Sequence, residues 1–370
     1  MPGSELIGKE EKGAVDSIFD KGRDLERGSK VLQFEKELAK KVGAQYCHCV
    51  CNGTSALKAA LFALGVKRGD EVITQSFTFI ATVEAILDSG AKPVIVEIDR
   101  SLNMDPFDLE KKISDKTKVI IPVHMAGVPA KMKEIIKIAQ KNNISVLEDS
   151  AQALGASFEE KFLGTIGQAG IYSFDTGKIV TTGEGGAVVT DNKDIYYRVR
   201  EFSDHGHEQN PKFPRGRDTR SFWGFNYKMA EIPAAIGQVQ LKRIDYILKK
   251  QRENKKKIKE GIKNIKNIEF REIPDIRGDA GDTLIFFMES KEKASEFAEL
   301  MSKRGLWTKN LPDAIDWHFA GIWSHIFSEK EIALPKSEDL LRRAIAIPVL
   351  VKTSDQEINK VIGVIREIEK

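Results

Sequence analysis

The chain has little of several things. Only three of its 370 residues are cysteine, Cys47, Cys49 and Cys51, and they alternate within "YCHCVCNG". In an extended strand alternate side chains share one face. A metal knuckle would want a CxxC pair and a second pair of ligands, whereas His48 points to the opposite face. No metal site is expected, and the cysteines read as small buried hydrophobes. No apolar run approaches the roughly 20 residues of a bilayer span. The opening "MPGSELIGKEEKGAV" has no signal-peptide apolar region, so membrane insertion is not expected and the expected location is cytoplasmic. An excess of one charge is missing too: 58 Lys and Arg against 55 Asp and Glu leave +3. Bulk charge therefore argues for neither nucleic acid nor an anionic surface. Internal repeats and low-complexity segments are absent.

What is present is an ordinary globular composition, 41% apolar and 31% charged, long enough for one large domain and a smaller one. Short Val- and Ile-rich runs, "EVITQSF", "KPVIVEI", "KVIIPVH", "ISVLEDS", "GIYSF" and "GAVVTD", alternate with helical stretches such as "TSALKAALFALG" and "AKMKEIIKIAQKNN". Nearly continuous apolar strands separated by helices predict an α/β fold with a mostly parallel sheet covered on both faces. We place the large domain at residues 1–240. A lysine-rich helix with Leu241, Ile244 and Leu248 at helical spacing then connects to a small α+β domain, 241–370.

Ligands in such sheets gather beyond the carboxyl ends of the strands. In "CNGTSAL" a strand ends, Gly53 allows a tight turn, and a helix starts at Thr54–Ser55. Its free N–H groups and dipole suit an anion, although Ser and Thr also cap helices for purely structural reasons. In "VLEDSAQALGA" the carboxylates Glu148 and Asp149 close an apolar strand, with Gln152 three residues beyond. In "YSFDTGKIVTTGEGG" Lys178 lies in a glycine-lined loop after Ser173. An amine that must form an imine needs a neutral fraction and room for a carbonyl. A phosphate cradle, a strand-end acid and a loop lysine together are what pyridoxal 5′-phosphate requires.

"CNGTSALKAAL", "DEVITQSFTFIATVEAI", "LEDSAQALGASFEEKFLGTIGQAGIYSF", "GKIVTTGEGGAVVT" and "GFNYKMAEIPAAIGQVQL" resemble, in order, the motifs of the DegT/DnrJ/EryC1/StrS sugar aminotransferases. The resemblance implies a fold-type I pyridoxal-phosphate enzyme whose large domain holds a seven-stranded sheet. It also implies roles. Lys178 would hold the cofactor's aldehyde covalently and move the proton. Asp149 would pair with the ring nitrogen, Gln152 would bond the phenolic oxygen and Phe79 would stack on the ring. Gly53, Thr54, Ser55 and Ser173 would hold the phosphate, joined by Asn226 from the neighbouring subunit of a homodimer with shared sites. L-glutamate, leaving as 2-oxoglutarate, would be the donor.

Further stretches, "PVHMAGVPAKMKEI", "EFSDHGHEQN", "FREIPDIRGDAG" and "DWHFAGIWSHI", are similar to the branch that makes 8-amino-3,8-dideoxy-D-manno-octulosonate (8-amino-Kdo), a lipopolysaccharide sugar. That would make the acceptor a free sugar acid bearing an aldehyde; a nucleotide-linked ketosugar stays open. His205 and His207 are candidate substrate contacts. Arg215, Arg217 and Arg220 are candidate partners for an acidic substrate, with a solvated loop as the equal alternative. Trp317, His318 and Trp323 could stack on a sugar or belong to a core.

Overall fold

The computed structural model describes residues 3–21, 25, 28–328 and 332–368. Strands β1 (Tyr46–Val50), β2 (Glu71–Gln75), β3 (Lys92–Val96), β4 (Thr117–Ile121) and β5 (Ser145–Asp149) come first. A small hairpin, β6 (Ser157–Phe158) and β7 (Lys161–Phe162), precedes β8 (Ala169–Ser173) and β9 (Gly186–Thr190). Seven of them form one sheet in the order β1-β9-β8-β5-β4-β2-β3. Neighbours from β8 through β3 run parallel, and β9 is antiparallel to both β1 and β8. This is the mostly parallel α/β sheet that the strand pattern predicts. Val119, Ile120 and Ile121 of β4 are buried on both faces, which only helices covering each side can achieve.

The covering helices follow from apolar spacing. Ser29–Val42 buries Val31, Phe34, Leu38 and Val42 along one stripe and stops at Gly43, whose φ of +76° costs a glycine nothing. The Phe34 ring packs on Gly237 of the helix Glu231–Lys242, where a β-carbon would come within 2.6 Å of it. Burying such a ring stabilises the fold by about 3 kcal/mol.

Leu241, Ile244 and Leu248 are buried, but the lysine-rich helix is not continuous. It divides at Arg243 into Glu231–Lys242 and Ile244–Ile262. Beyond it, β10 (Glu269–Phe270), β11 (Thr283–Phe287) and β12 (Ala344–Pro348) form an antiparallel three-stranded sheet. Phe286, Phe297, Ile345 and Ile365 pack with Ile258 and Ile262 of the connecting helix in one apolar cluster. Cys47 and Cys49 lie buried in β1, whereas Cys51, just past its end, is only half-buried. Among the described residues no helix is long and apolar enough to cross a membrane, and no group of three acidic, His or Cys side chains could hold a metal ion.

Candidate active site

The loops leaving the carboxyl ends of the central strands enclose a cavity of about 540 Å³. Asp149, last residue of β5, points into it, while Glu148 before it points to the other face, as strand alternation requires. Glu148 is fully buried and saturated. Its carboxylate accepts the N–H groups of Gly164, Ile166 and Gly167 at 2.9, 2.6 and 2.7 Å and meets His124 Nε2 at 3.1 Å. Asp149 has less. Thr82 Oγ1 donates to one oxygen at 2.8 Å and the Ala151 N–H to the other at 3.1 Å. Burial pushes its pKa up, opposed by those two bonds and by the nearby Lys178 and His124.

Lys178 stands in the turn between β8 and β9. Asp175 builds that turn: its carbonyl accepts the Lys178 N–H at 3.0 Å and its carboxylate the Gly177 N–H at 2.8 Å. The lysine amine lines the cavity and, among the described residues, makes no ion pair or hydrogen bond. Burial holds its pKa below the ordinary lysine value and Lys309 adds to this, while Asp175, Asp149 and Asp282 oppose. A lysine so placed has a larger neutral fraction than an exposed one, the direction a nucleophile or base requires.

At one end of the cavity the helix Gly53–Ala63 begins. Asn52 caps it, its side chain accepting the Ser55 N–H at 2.8 Å. A β-carbon at Gly53 would lie 3.0 Å from that of Ser173, so only glycine brings the helix start this close to β8. Asn52, Gly53, Thr54 and Ser173 line the cavity. Ser55 sits behind them, its hydroxyl 3.2 Å from Cys51 Sγ. Gln152 lines the wall, its side-chain oxygen accepting the Ala126 N–H at 3.0 Å. Phe79 is 44% exposed at the mouth, its ring centroid 5.6 Å from that of His318. His318 lines the cavity and contacts the Ala314 carbonyl at 2.8 Å; burial lowers its pKa, so it favours the neutral form.

Several cavity residues lacked any local sequence signal: Asn52, Thr78, Thr82, Asp175, Glu184, Asp282, Lys309 and Asn310. Lys309 is held by Asp282 at 2.5 Å. Other candidates stand outside this cavity. Asn226 is exposed, pairing through its backbone with Asp204. His205 is exposed with φ +58°. His207 is buried, meeting Arg220 at 3.0 Å and Asp218 at 3.4 Å. Arg215 grips Asp204 through two bonds of 2.8 and 2.6 Å, Arg217 is exposed, and Trp317 is 60% exposed. Trp323 is buried, donating to the Asp316 carbonyl at 2.7 Å.

The chain matches the family described as "DegT/DnrJ/EryC1/StrS aminotransferase family" over residues 5–366. It is 34% identical to GDP-perosamine synthase of Escherichia coli O157:H7 over 95% of this chain and 93% of that protein. It is 32% identical to the spore coat polysaccharide biosynthesis protein SpsC of Bacillus subtilis, covering 99% and 96%. Its fold superposes on the Helicobacter pylori aminotransferase PseC, involved in pseudoaminic acid biosynthesis, with TM-score 0.87, 25% identity and coverage of 98% and 97%. With nearly its whole length matched and a partnerless lysine facing a buried strand-end acid in one cavity, this chain belongs to the DegT/DnrJ/EryC1/StrS aminotransferase family.

Proposed function

We propose that this protein transfers the amino group of L-glutamate to the aldehyde carbon of a free eight-carbon sugar acid, forming 8-amino-3,8-dideoxy-D-manno-octulosonate for lipopolysaccharide. As an aminotransferase of its family, it works with pyridoxal 5′-phosphate. The cavity suits that group. A β-carbon at Gly53 would crowd the cradle between the helix start and Ser173. Asp149, its pKa raised by burial, is a carboxylate short of a cation, which a protonated ring nitrogen supplies. Among the described residues the Lys178 amine has nothing else to bond. In this reading Gly53, Thr54 and Ser173 hold the phosphate, Ser55 being turned away to Cys51 with its N–H on Asn52, while Gln152 takes the phenolic oxygen and Phe79 one ring face. Asn226 reaches the phosphate from a second copy; its exposure, among the exposed Phe213, Trp223 and Phe225, supports that placement.

When bound, the cofactor supplies an electron sink for the carbon that loses its proton. The chain's own residues do the rest. Lys178, its pKa lowered by burial, removes the proton from the α-carbon of glutamate and later delivers one to the sugar carbon that accepts the amine. Asp149, pinned by Thr82 and the Ala151 N–H, keeps negative charge at the cavity floor. Phe79 and His318 narrow the mouth. Both substrates use one site in turn, so ping-pong kinetics are expected.

The carrying observation is the Lys178 amine, without a partner among the described residues, sharing one cavity with Asp149. For the acceptor, support comes from the stretch holding Lys309, Asn310 and His318, which lines the cavity with polar side chains, the Lys309 ammonium being shared with Asp282. A nucleotide-linked ketosugar is the second reading, favoured by the likeness to GDP-perosamine synthase. Mass spectrometry of products from octulosonate oxidised at its terminal carbon, beside a panel of nucleotide ketosugars, separates the two. Amination of the nucleotide sugars alone would replace the first reading by the second.

A further inference from the structure

Among the described residues the Lys178 amine has no side-chain partner, so its backbone and stem aim it. Asp175 holds the front of that backbone. The back is held from far away in sequence. The Gly3 N–H donates to the Lys178 carbonyl at 3.1 Å. Gly3 is buried and has ordinary helical angles, φ −64° and ψ −42°, so its glycine is not there for conformation. It is there for space. A β-carbon would lie 2.9 Å from the Lys178 oxygen, 2.9 Å from the Thr181 nitrogen and 3.0 Å from the Ile179 oxygen, all backbone atoms that no rotamer change can move.

The same arm is anchored on its far side. The Glu5 carboxylate accepts the N–H groups of Val351 and Lys352 at 3.3 and 2.9 Å, just past the small sheet. The Leu6 carbonyl accepts from Arg243 at 2.6 Å, at the break between the two long helices. The strap therefore ties the lysine turn to the segment leaving β12 and to the helix junction.

We propose that the arm Gly3–Leu6 is a positioning clamp for Lys178, with Gly3 fixing the lysine backbone and Glu5 tying it to the small sheet. This rests on the reading of Lys178 as the reactive amine. The charged groups around that amine are Asp175 in its own turn, Glu184 beyond it, Asp149 on β5, and Asp282, Lys309 and His318 opposite. A shift of the lysine backbone by a few tenths of an ångström alters its distance to all of them.

The test uses full-length Gly3→Ala and Glu5→Ala with two readouts. The first is the pH dependence of Lys178 labelling by an amine-directed reagent in cofactor-free protein, followed by mass spectrometry. The second is steady-state kinetics of the loaded enzyme. Gly3→Ala is expected to move the labelling midpoint and to lower kcat about tenfold with little change in KM. Glu5→Ala, which leaves the turn uncrowded, moves both in the same direction by less. An unchanged labelling midpoint and kcat in Gly3→Ala overturns the clamp, and so does a melting-temperature loss without a midpoint shift. Should Gly3→Ala fail to fold, an unmoved midpoint in Glu5→Ala does the same. None of these outcomes touches the reading of Lys178 itself, which Lys178→Ala tests.

Discussion

Asp149 and Asp204 are both nearly inaccessible, 4% and 1% exposed; the first ends β5 and the second lies two residues past the helix Lys193–Phe202. Burial alone would raise both pKa values. At Asp204 it is overcome by Arg215, bonded twice, and by Lys228 at 2.9 Å, so the carboxyl sits well below the usual carboxylate range. At Asp149 the Thr82 hydroxyl, one N–H and the more distant charges of Lys178 and His124 answer burial without overcoming it, and the pKa ends up raised. One acid is paired with two cations of the chain; the other has no ion pair among the described residues. The same contrast separates the loop around residues 204–228, cross-linked by its own charges, from the cavity, where Lys178 has no partner. Charges that a fold leaves unmatched in a dry place mark where chemistry happens.

The largest test of this contrast is Lys178→Ala. Turnover should fall by about 10³-fold or more, since the proton shuttle is lost, and borohydride should no longer trap cofactor on the chain. A variant turning over at the wild-type rate ends the mechanism. Next comes Asp149→Asn, expected to lower turnover by about 10²-fold while making cofactor-free protein more stable at neutral pH. The sign follows from linkage: the folded pKa lies above the unfolded one, so stability is lost as pH rises through that interval. Melting curves should therefore converge in acid and separate at neutral pH; the opposite order would mean that Asp149 is a satisfied acid like Asp204.

Asp204→Asn should behave in the reverse way. Its folded pKa is depressed, so its contribution is present above the unfolded carboxylate pKa and disappears as pH falls through the folded one. Because Arg215 is 57% exposed, the loss at neutral pH should be only about 1–2 kcal/mol, read from denaturant midpoints, with little change in kcat for the amino-donor half of the reaction. The smallest effect belongs to Arg217→Ala. Its side chain is exposed, so stability should change by less than about 0.5 kcal/mol. A raised KM for an acidic acceptor would make it a substrate contact, and no change would leave it a solvated loop charge.

Much of the site was visible in the chain because strand-to-loop chemistry is local. A buried run ending in Glu148–Asp149, a lysine between Ser173 and a glycine cluster, and "CNGTS" each sit within a few residues. What escaped was assembled across distance. Lys309, Asp282 and His318 reach the cavity only because the segments around the small sheet dock there. Thr82 meets Asp149 from another helix start. At the helix Gly53–Ala63 the cap is Asn52, and Ser55 turns to Cys51 instead of lining the cavity, a choice of rotamer that spacing does not report. Strand β12 follows the helix Pro335–Arg343 with no turn residues between, so no punctuation announced it. The break at Arg243 was hidden inside one continuous amphipathic pattern.

Periodicity and short motifs by themselves determined the α/β class and the parallel strands and put Lys178 and Asp149 forward as candidates, because these depend on neighbours in the chain. Tertiary structure alone decided which carboxylate is left without a cation, which cation enters from the small sheet, and that Gly3 lies against the lysine carbonyl. Those facts are matters of desolvation and close approach, and both exist only once segments hundreds of residues apart have packed together.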